Sequence, residues 1–391
     1  MIVDVTGNYA QRQDTQESEV NVGGLLVHEW IAKRGGSERV LEAAAEVFES
    51  ADIQCLWNDD PAAYGSRTVK ESWLARSPLR NHKALALPAM PFVWRMTPND
   101  GYDWMFISTH LFAHHARLRG AEHVPKFVYA HTPARYIWTP ELDARGDSLS
   151  ARLASVPLKS LDRRRAREAT SIAANSAFVS ERIARTWGLE SRVIYPPVDT
   201  SELQAVADWS ARLGASDAAQ MESLPDAYVL GASRFIPYKR LDLVIRAGEA
   251  AGIPVVLAGS GPLLAELRNQ ASTASVPVTI IEDPSDSLIR CLFQKALVYV
   301  FPAVEDFGIM PVESMALGTP VVANAVGGAS ESVISGLTGS LLEGESSTQL
   351  AVAVEAAARL DELDCKERAK VFSKERFQTE IYDWVDPEKF N

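Results

Sequence analysis

Residues 297–328, LVYVFPAVEDFGIMPVESMALGTPVVANAVGG, constrain the fold more than any other stretch, because they read as strand, loop, helix and strand in immediate succession. Residues 297–301 and 321–324 are apolar runs of strand length. Between them, Pro311 is expected at the first helical position and Gly318 just past the helix end. The loop Glu305-Asp306-Phe307-Gly308-Ile309 then leads into a helix N-terminus, where free N–H groups and the helix dipole favour an anion. Gly308 presents no side chain to keep a ligand off the backbone. Glu305 ahead of the helix and Glu313, expected in its first turn, bracket the loop. Their spacing alone is weak evidence, and a first-turn glutamate also serves as a dipole or capping residue. The strand–loop–helix setting is what points to a site for a ligand carrying both phosphate and hydroxyls.

The same alternation runs through the chain. Strands at 228–233, 254–258 and 276–282 alternate with helices at 241–251, 262–271 and 287–296, which implies a parallel sheet with helices on both faces. An earlier unit has strands at 25–28, 51–57, 103–108, 126–130, 171–174 and 192–195. Its helices fall at 37–48, at 149–169 (broken near Pro157) and at 177–187. Pro196-Pro197 cannot continue a sheet interior and marks a boundary. After residue 328 come two amphipathic helices near 347–360 and 362–373. A last helix follows, with Phe377, Ile381 and Trp384 spaced to pack on another surface. The expected division is a polar N-terminal tail 1–20, one domain 21–199, a second 200–373 and a terminal helix 374–391. A chain of 391 residues can bury two such cores.

A net charge of -12 argues against nucleic acid as the main partner. Cys55, Cys291 and Cys365 are far apart and form no metal or redox pattern, which suits a reducing cytoplasm. No apolar run reaches transmembrane length, and residues 1–20 lack a signal-peptide profile. Residues 67–95 depart from the acidic balance: Arg67, Lys70, Arg76, Arg80, Lys83 and Arg95 face only Glu71, interleaved with Trp73, Leu74, Leu79, Leu85, Leu87, Phe92 and Trp94. Two readings stay open, a basic apolar surface resting on anionic lipid at the inner face of the cell membrane, or a solvated loop whose aromatics pack on the core.

Several further clusters fall where an open parallel sheet binds ligands, at strand carboxyl ends. Gly35-Gly36 precedes Ser37, a good N-cap, and is either a phosphate-facing glycine turn or a plain strand-to-helix turn. Ser108-Thr109-His110 and His131-Thr132-Pro133-Ala134-Arg135 close two strands; His131 is a site candidate, with Ser108, His110 and Arg135 beside it. His82, His114, His115 and His123 read as surface residues, and Lys159, Arg163, Arg164, Arg165 and Arg167 as a solvated face. Arg234 and Lys239 follow the strand 228–233, suited respectively to a bidentate grip on a diphosphate and to a point charge. Arg240 is left to the surface and Gly259-Ser260-Gly261-Pro262 to a structural turn.

With these clusters placed, the chain resembles a retaining glycosyltransferase of the GT-B fold, in the large family 4 of nucleotide-sugar-dependent enzymes. EDFGIMPVE, residues 305–313, matches that family's E-x7-E signature, and GGSERVL, ANSAFVSERI, YPPVD, SRFIPYKRLDLVI and ALGTPVVANAVGG match as well. The resemblance implies two Rossmann-like α/β domains with parallel sheets facing across a cleft, the donor on the C-terminal domain, and the final helix crossing back. It also implies that Arg234 and Lys239 neutralise the diphosphate, and that the backbone of Phe307, Gly308 and Ile309 meets diphosphate and sugar. Glu313 would hold the ribose, Glu305 the transferred sugar; Gly35 and Gly36 would cap the diphosphate and His131 would lie beside the sugar 6-hydroxyl. The chain has no Asp-x-Asp pair, and neither a metal nor another cofactor is expected. YAHTPARYIW resembles a branch rich in mannosyltransferases, which often carries an acid where this chain has Thr139. The expected reaction is transfer of a hexose, first mannose from GDP-mannose, then glucose or GlcNAc from UDP, to a hydroxyl of a glycan or lipid-linked acceptor. A phosphorylase with lysine-bound pyridoxal phosphate, a nucleotide-sugar epimerase and a catalytically silent nucleotide-sugar-binding protein are the alternatives.

Overall fold

A computed structural model of the chain describes residues 23–33, 35–138 and 149–390; the tail 1–20 and Thr139 lie outside them. Two parallel sheets organise it. The first takes β1 (Gly23–His28), β2 (Asp52–Cys55), β3 (Val69–Glu71), β4 (Tyr102–Thr109), β5 (Lys126–Ala130), β6 (Ser171–Ala174) and β7 (Arg192–Val193) in the order β3-β2-β1-β4-β5-β6-β7. The second takes β8 (Val229–Ala232), β9 (Val255–Gly259), β10 (Val278–Glu282), β11 (Val298–Phe301), β12 (Val321–Asn324) and β13 (Gly339–Leu342) in the order β10-β9-β8-β11-β12-β13. In both, the order reverses beside the first strand, which opens a crevice at the carboxyl ends. Central strands such as β4 and β11 are apolar on both faces, as helices on each side of the sheet require.

Local chemistry sets the boundaries, with some departures from expectation. Helix Gly36–Val47 starts one residue early: Gly35 is its N-cap, and the Ser37 hydroxyl donates to Glu38 Oε2 instead of capping. Pro157 does not break helix Leu149–Ala166, because Leu158, Asp162 and Ala166 recur one turn apart and pack inward beyond the lost rung. Helix Ile309–Ala316 begins early too, so Pro311 is its third residue and Glu313 lies in its second turn. β13 carries no strand signal of its own. It exists because a Cβ on Gly339 would meet the Val321 carbonyl oxygen at 1.9 Å, a closeness only glycine allows. The short helix Ala329–Ser332 was equally unannounced.

His114 and His115 are buried, not surface residues: each imidazole Nε2 lies 3.1 Å from Asp162 Oδ1. The indoles of Trp138 and Trp187 donate to Asp162 Oδ2, both at 2.7 Å. His82 and His123 are exposed. The basic stretch 67–95 is largely tied down. Arg67 donates to the carbonyls of Ala45, Phe48 and Ala51, Lys70 pairs with Asp52 and Asp100, Arg80 with Asp59, and Arg95 with Glu168. Leu74 and Trp94 are core, while Trp73, Leu85 and Phe92 remain exposed. No helix among the described residues is long and apolar enough to cross a membrane.

The chain passes between the lobes twice at one place. Val198 N–H donates to the Phe372 carbonyl at 3.1 Å, and Lys374 N–H to the Val198 carbonyl at 3.0 Å. Helix Lys374–Val385 then lies on the N-terminal lobe against helix Gly36–Val47, capped by Ser373. Phe377 packs edge-on to Tyr129, and Trp384 Nε1 donates to Ser171 Oγ at 2.9 Å. Phe377→Ala should therefore lower N-terminal-lobe stability by about 3–5 kcal/mol, read as a fall in the denaturant midpoint followed by tryptophan fluorescence.

Candidate functional site

On the C-terminal lobe, β8 ends at Ala232 and delivers Arg234 to the surface, while Phe235 turns inward. The backbone there is packed tightly: a Cβ on Gly259 would meet the Ser233 carbonyl oxygen at 1.9 Å, so the glycine turn is structural. The single turn Pro237–Lys239 brings Lys239 back into the cleft, 9 % exposed, where its ammonium pairs with Glu305 Oε1 and lies 5.3 Å from the Phe301 ring centre. Arg234 Nη2 donates to the Tyr238 hydroxyl at 3.1 Å. Arg240 adopts φ 52° and pairs outward with Asp242 and Glu345.

After β11 the loop reaches Gly308, the N-cap of helix Ile309–Ala316 at φ 93°. The Gly328 N–H donates to the Glu305 carbonyl at 2.8 Å, and a Cβ on Gly328 would meet the Asp306 carbonyl oxygen at 2.1 Å. The glycine pair after β12 thus lets the two loops touch. Phe307 is buried against Tyr195 and Phe372, anchoring the loop whose neighbours face the cleft.

On the N-terminal lobe, His28 Nδ1, Ser108 Oγ and His131 Nε2 form a chain at 3.1 and 2.9 Å. Burial pushes His131 down from 6.5 to about 3, and His110 and His28 push the same way, so the imidazole is neutral at physiological pH. Burial lowers His28 as well. Beside it, Glu29 is fully buried. Burial alone would raise its pKa, but His110, His28 and the N–H groups of Ala113 and Leu111 outweigh it and hold the carboxyl at about 2. Glu29 accepts from Thr109 Oγ1 at 2.9 Å and Leu111 N–H at 2.8 Å, which fixes the turn presenting His110.

The lobes meet through charge. Arg39 Nη1 pairs with Glu313 Oε1 at 2.7 Å, and Asp306 accepts from Arg135 on one oxygen and from Arg182 Nη1 at 2.5 Å on the other. Glu331 receives the first N–H groups of helix Ala177–Trp187, from Ala177 and Phe178, both at 2.8 Å. A Cβ on Gly36 would meet Ile309 Cδ1 at 3.1 Å, so the glycine turn lies directly over the opposite helix N-terminus.

Between the lobes lies a cavity of about 370 Å³. His110, His131, Arg135 and Gly36 line it from one side, and Arg234, Lys239, Glu305, Phe307, Gly308 and Ile309 from the other. A second space of about 460 Å³ continues past Gly36, Ile309 and Met310 to Gly35, Arg39 and Glu313. Ser108 is fully buried behind His131, one layer from the cavity. Sequence reasoning missed Glu29, Asp306, Tyr238, Arg182 and Arg39. Asp306 stood inside the E-x7-E string, and the others carried no local signal. Among the described residues, His114, His115 and Asp162 are the one cluster close enough to share an ion; it does not line the cleft, and four N–H-bearing rings already surround its carboxylate.

Two parallel-sheet Rossmann-like lobes whose strand ends converge on such a cleft define the GT-B fold. Solved structures of that fold superpose on most of the chain. Anabaena HepE in complex with UDP does so with a TM-score of 0.67 at 19 % identity, over 93 % of this chain and 100 % of that one. Sucrose-phosphate synthase from Thermosynechococcus elongatus gives 0.65 at 19 %, over 93 % and 98 %. Residues 34–202 match the Glycosyltransferase Family 4 model and residues 217–375 the model of Glycosyl transferases group 1. The chain thus carries one glycosyltransferase match on each lobe. Curated relatives include the D-inositol 3-phosphate glycosyltransferases of Mycobacterium tuberculosis and Mycobacterium bovis, 33 % identical over 177 residues, which is 43 % of this chain and 36 % of theirs. The chain thus aligns with about a third of their length.

The buried histidines make stability depend on pH. The unfolded chain binds protons below pH 6.5, whereas folded His131 resists protonation to about 3 and His115, held down by burial, to about 4. Stability present above 6.5 is therefore lost as pH falls, at up to about 1.4 kcal/mol per pH unit for each histidine. Denaturant midpoints should drop steadily from pH 7 to pH 4.5, and His131→Gln should flatten that slope.

Proposed function

We propose that the chain transfers a hexose from a nucleoside diphosphate sugar to an acceptor hydroxyl with retention of anomeric configuration, without a metal or other cofactor. The observation that carries this is the Lys239–Glu305 pair beside Arg234, at the mouth of helix Ile309–Ala316 in the interlobe cavity. A cation and a carboxylate that satisfy each other in the free protein can each exchange that partner for a ligand group. Lys239 would turn to the diphosphate, Glu305 to the sugar hydroxyls. Arg234 and the N–H groups at Gly308 and Ile309 would share the phosphate charge, Gly35 and Gly36 would cap it, and Glu313 would leave Arg39 for the ribose.

In the proposed reaction the bond between C1 and the β-phosphate oxygen breaks as the acceptor oxygen bonds C1 from the same face. The acceptor proton passes to the departing phosphate. Charge builds on that phosphate, and fixed cations and N–H dipoles stabilise it. His131, neutral and held from behind by Ser108, would hydrogen-bond the 6-hydroxyl, with His110 and Arg135 on the acceptor side. Lobe closure limits hydrolysis.

GDP-mannose is the first donor by the 129–138 resemblance. UDP-glucose is the second, because Anabaena HepE has been solved with it. The acceptor is a glycan or lipid-linked alcohol, and the exposed Trp73, Leu85 and Phe92 support contact of this segment with an anionic membrane. The domain division at 199/200 and 373/374 suits this reading, since both crossings fall at Val198 and Lys374.

A thermal-shift panel of GDP-, UDP- and ADP-sugars should raise the melting temperature for one base above the others; no shift with any would overturn the donor site. Arg234→Ala and Lys239→Ala should each lower turnover at least ~10²-fold without unfolding, measured as release of nucleoside diphosphate.

A further inference from the structure

We infer that Asp306 is a positioning residue, through which the N-terminal lobe sets the loop carrying Glu305 and the Phe307–Ile309 backbone. This rests on the donor-site reading above and adds to it a residue of the cavity wall whose carboxylate is taken up by the opposite lobe. The loop is held from two sides. Its own lobe holds it through Gly328 N–H on the Glu305 carbonyl and through buried Phe307. The opposite lobe holds it through Asp306, whose side chain takes Arg135 and Arg182 and whose carbonyl accepts from Ser176 Oγ.

These three partners come from two segments of the N-terminal lobe. Arg135 follows β5, Ser176 caps helix Ala177–Trp187, and Arg182 lies one turn and a half along that helix. Arg182 is 7 % exposed in its side chain, and the same Nη1 also donates to Thr132 Oγ1 at 2.7 Å. Within this cluster, Asp306 is the carboxylate that both guanidinium groups share. Withdrawing it would leave buried Arg182 and half-buried Arg135 facing one another without a counterion, which is strongly unfavourable. The closed arrangement and the loop's position are therefore one equilibrium: when the lobes part, Asp306 loses its partners, and the loop keeps only its attachments to its own lobe.

Asp306→Asn keeps the shape and removes the charge. Arg234 and Lys239, which would carry most of the diphosphate charge, keep their place on the C-terminal lobe without Asp306, so the nucleotide sugar's KM and the thermal shift it gives should change by no more than about threefold. The rate of nucleoside diphosphate release at saturation should fall at least ~10-fold, the scale of lost preorganisation. Asp306→Glu, which restores the charge, should recover part of the rate, which a merely structural role would not predict. Small-angle scattering should show a larger radius of gyration for Asp306→Asn than for the parent chain. If that variant does not fold, Arg182→Gln, which leaves the loop's sequence untouched, should give the same kcat loss at unchanged KM. An unchanged kcat, or a loss confined to KM, overturns the inference. If the parent chain takes none of UDP-glucose, GDP-mannose or their ADP counterparts, the donor reading fails, and scattering alone decides: an unchanged radius overturns the role of Asp306, an increase sustains it.

Discussion

The structure depends on one constraint: charged groups drawn out of water in the cleft must be paired. An ammonium as enclosed as that of Lys239 costs several kcal/mol of lost hydration unless a counter-charge meets it, and removing one partner of such a pair leaves the other stranded. Glu305 supplies that charge for Lys239, Asp306 for Arg135 and Arg182, and Glu313 for Arg39. All three carboxylates lie within nine residues of one loop and helix. The E-x7-E string is thus a comb of negative charge, and the cations that answer it come from both lobes.

That arrangement follows from the parallel sheets. In each, every strand runs the same way, so every connection leaves the carboxyl end at one edge. Setting those edges opposite one another brings groups distant in sequence together: Arg135 with Asp306, Arg39 with Glu313, Ala177 with Glu331. The double crossing at Val198 and Phe372 is narrow, two backbone hydrogen bonds wide, and lets the lobes approach without straining either core. The helix Lys374–Val385, grown from one lobe and packed on the other, keeps them adjacent.

Much of this was legible before any coordinates. Apolar runs such as 126–130 and 321–324 fall on β5 and β12, and Asn175-Ser176 opens a helix that Gly188 closes in the left-handed conformation. The residues proposed around the donor lie in two adjoining cavities. What stayed hidden has one physical character: its meaning comes from a partner far along the chain. His114 and His115 look like surface residues until Asp162, with two indoles on its other oxygen, draws them inward. Arg67 looks like a membrane-facing cation until three carbonyls at the end of helix Gly36–Val47 claim it. β13 is a strand only because Gly339 allows β12 to come close. Local pattern locates elements and their ends; burial of charge is settled by tertiary pairing.

The distribution of charge within the cleft has a chemical logic for the transfer proposed. Positive groups, Arg234 and Lys239, lie on the side where a leaving phosphate gathers negative charge. On the other side stands an imidazole that the protein keeps neutral. Burial holds His131 near 3, and its bond to Ser108, itself bonded to His28, satisfies one ring nitrogen without a net charge. A protonated histidine there would face an anomeric carbon that loses electron density as the leaving group departs, and would raise the barrier it is placed to lower. Glu29 is ionised beneath the turn of His110. For the transfer proposed, Arg234 and Lys239 would stand behind the phosphate and neutral His131 on the far side, where Asp306 offsets the charge of Arg135.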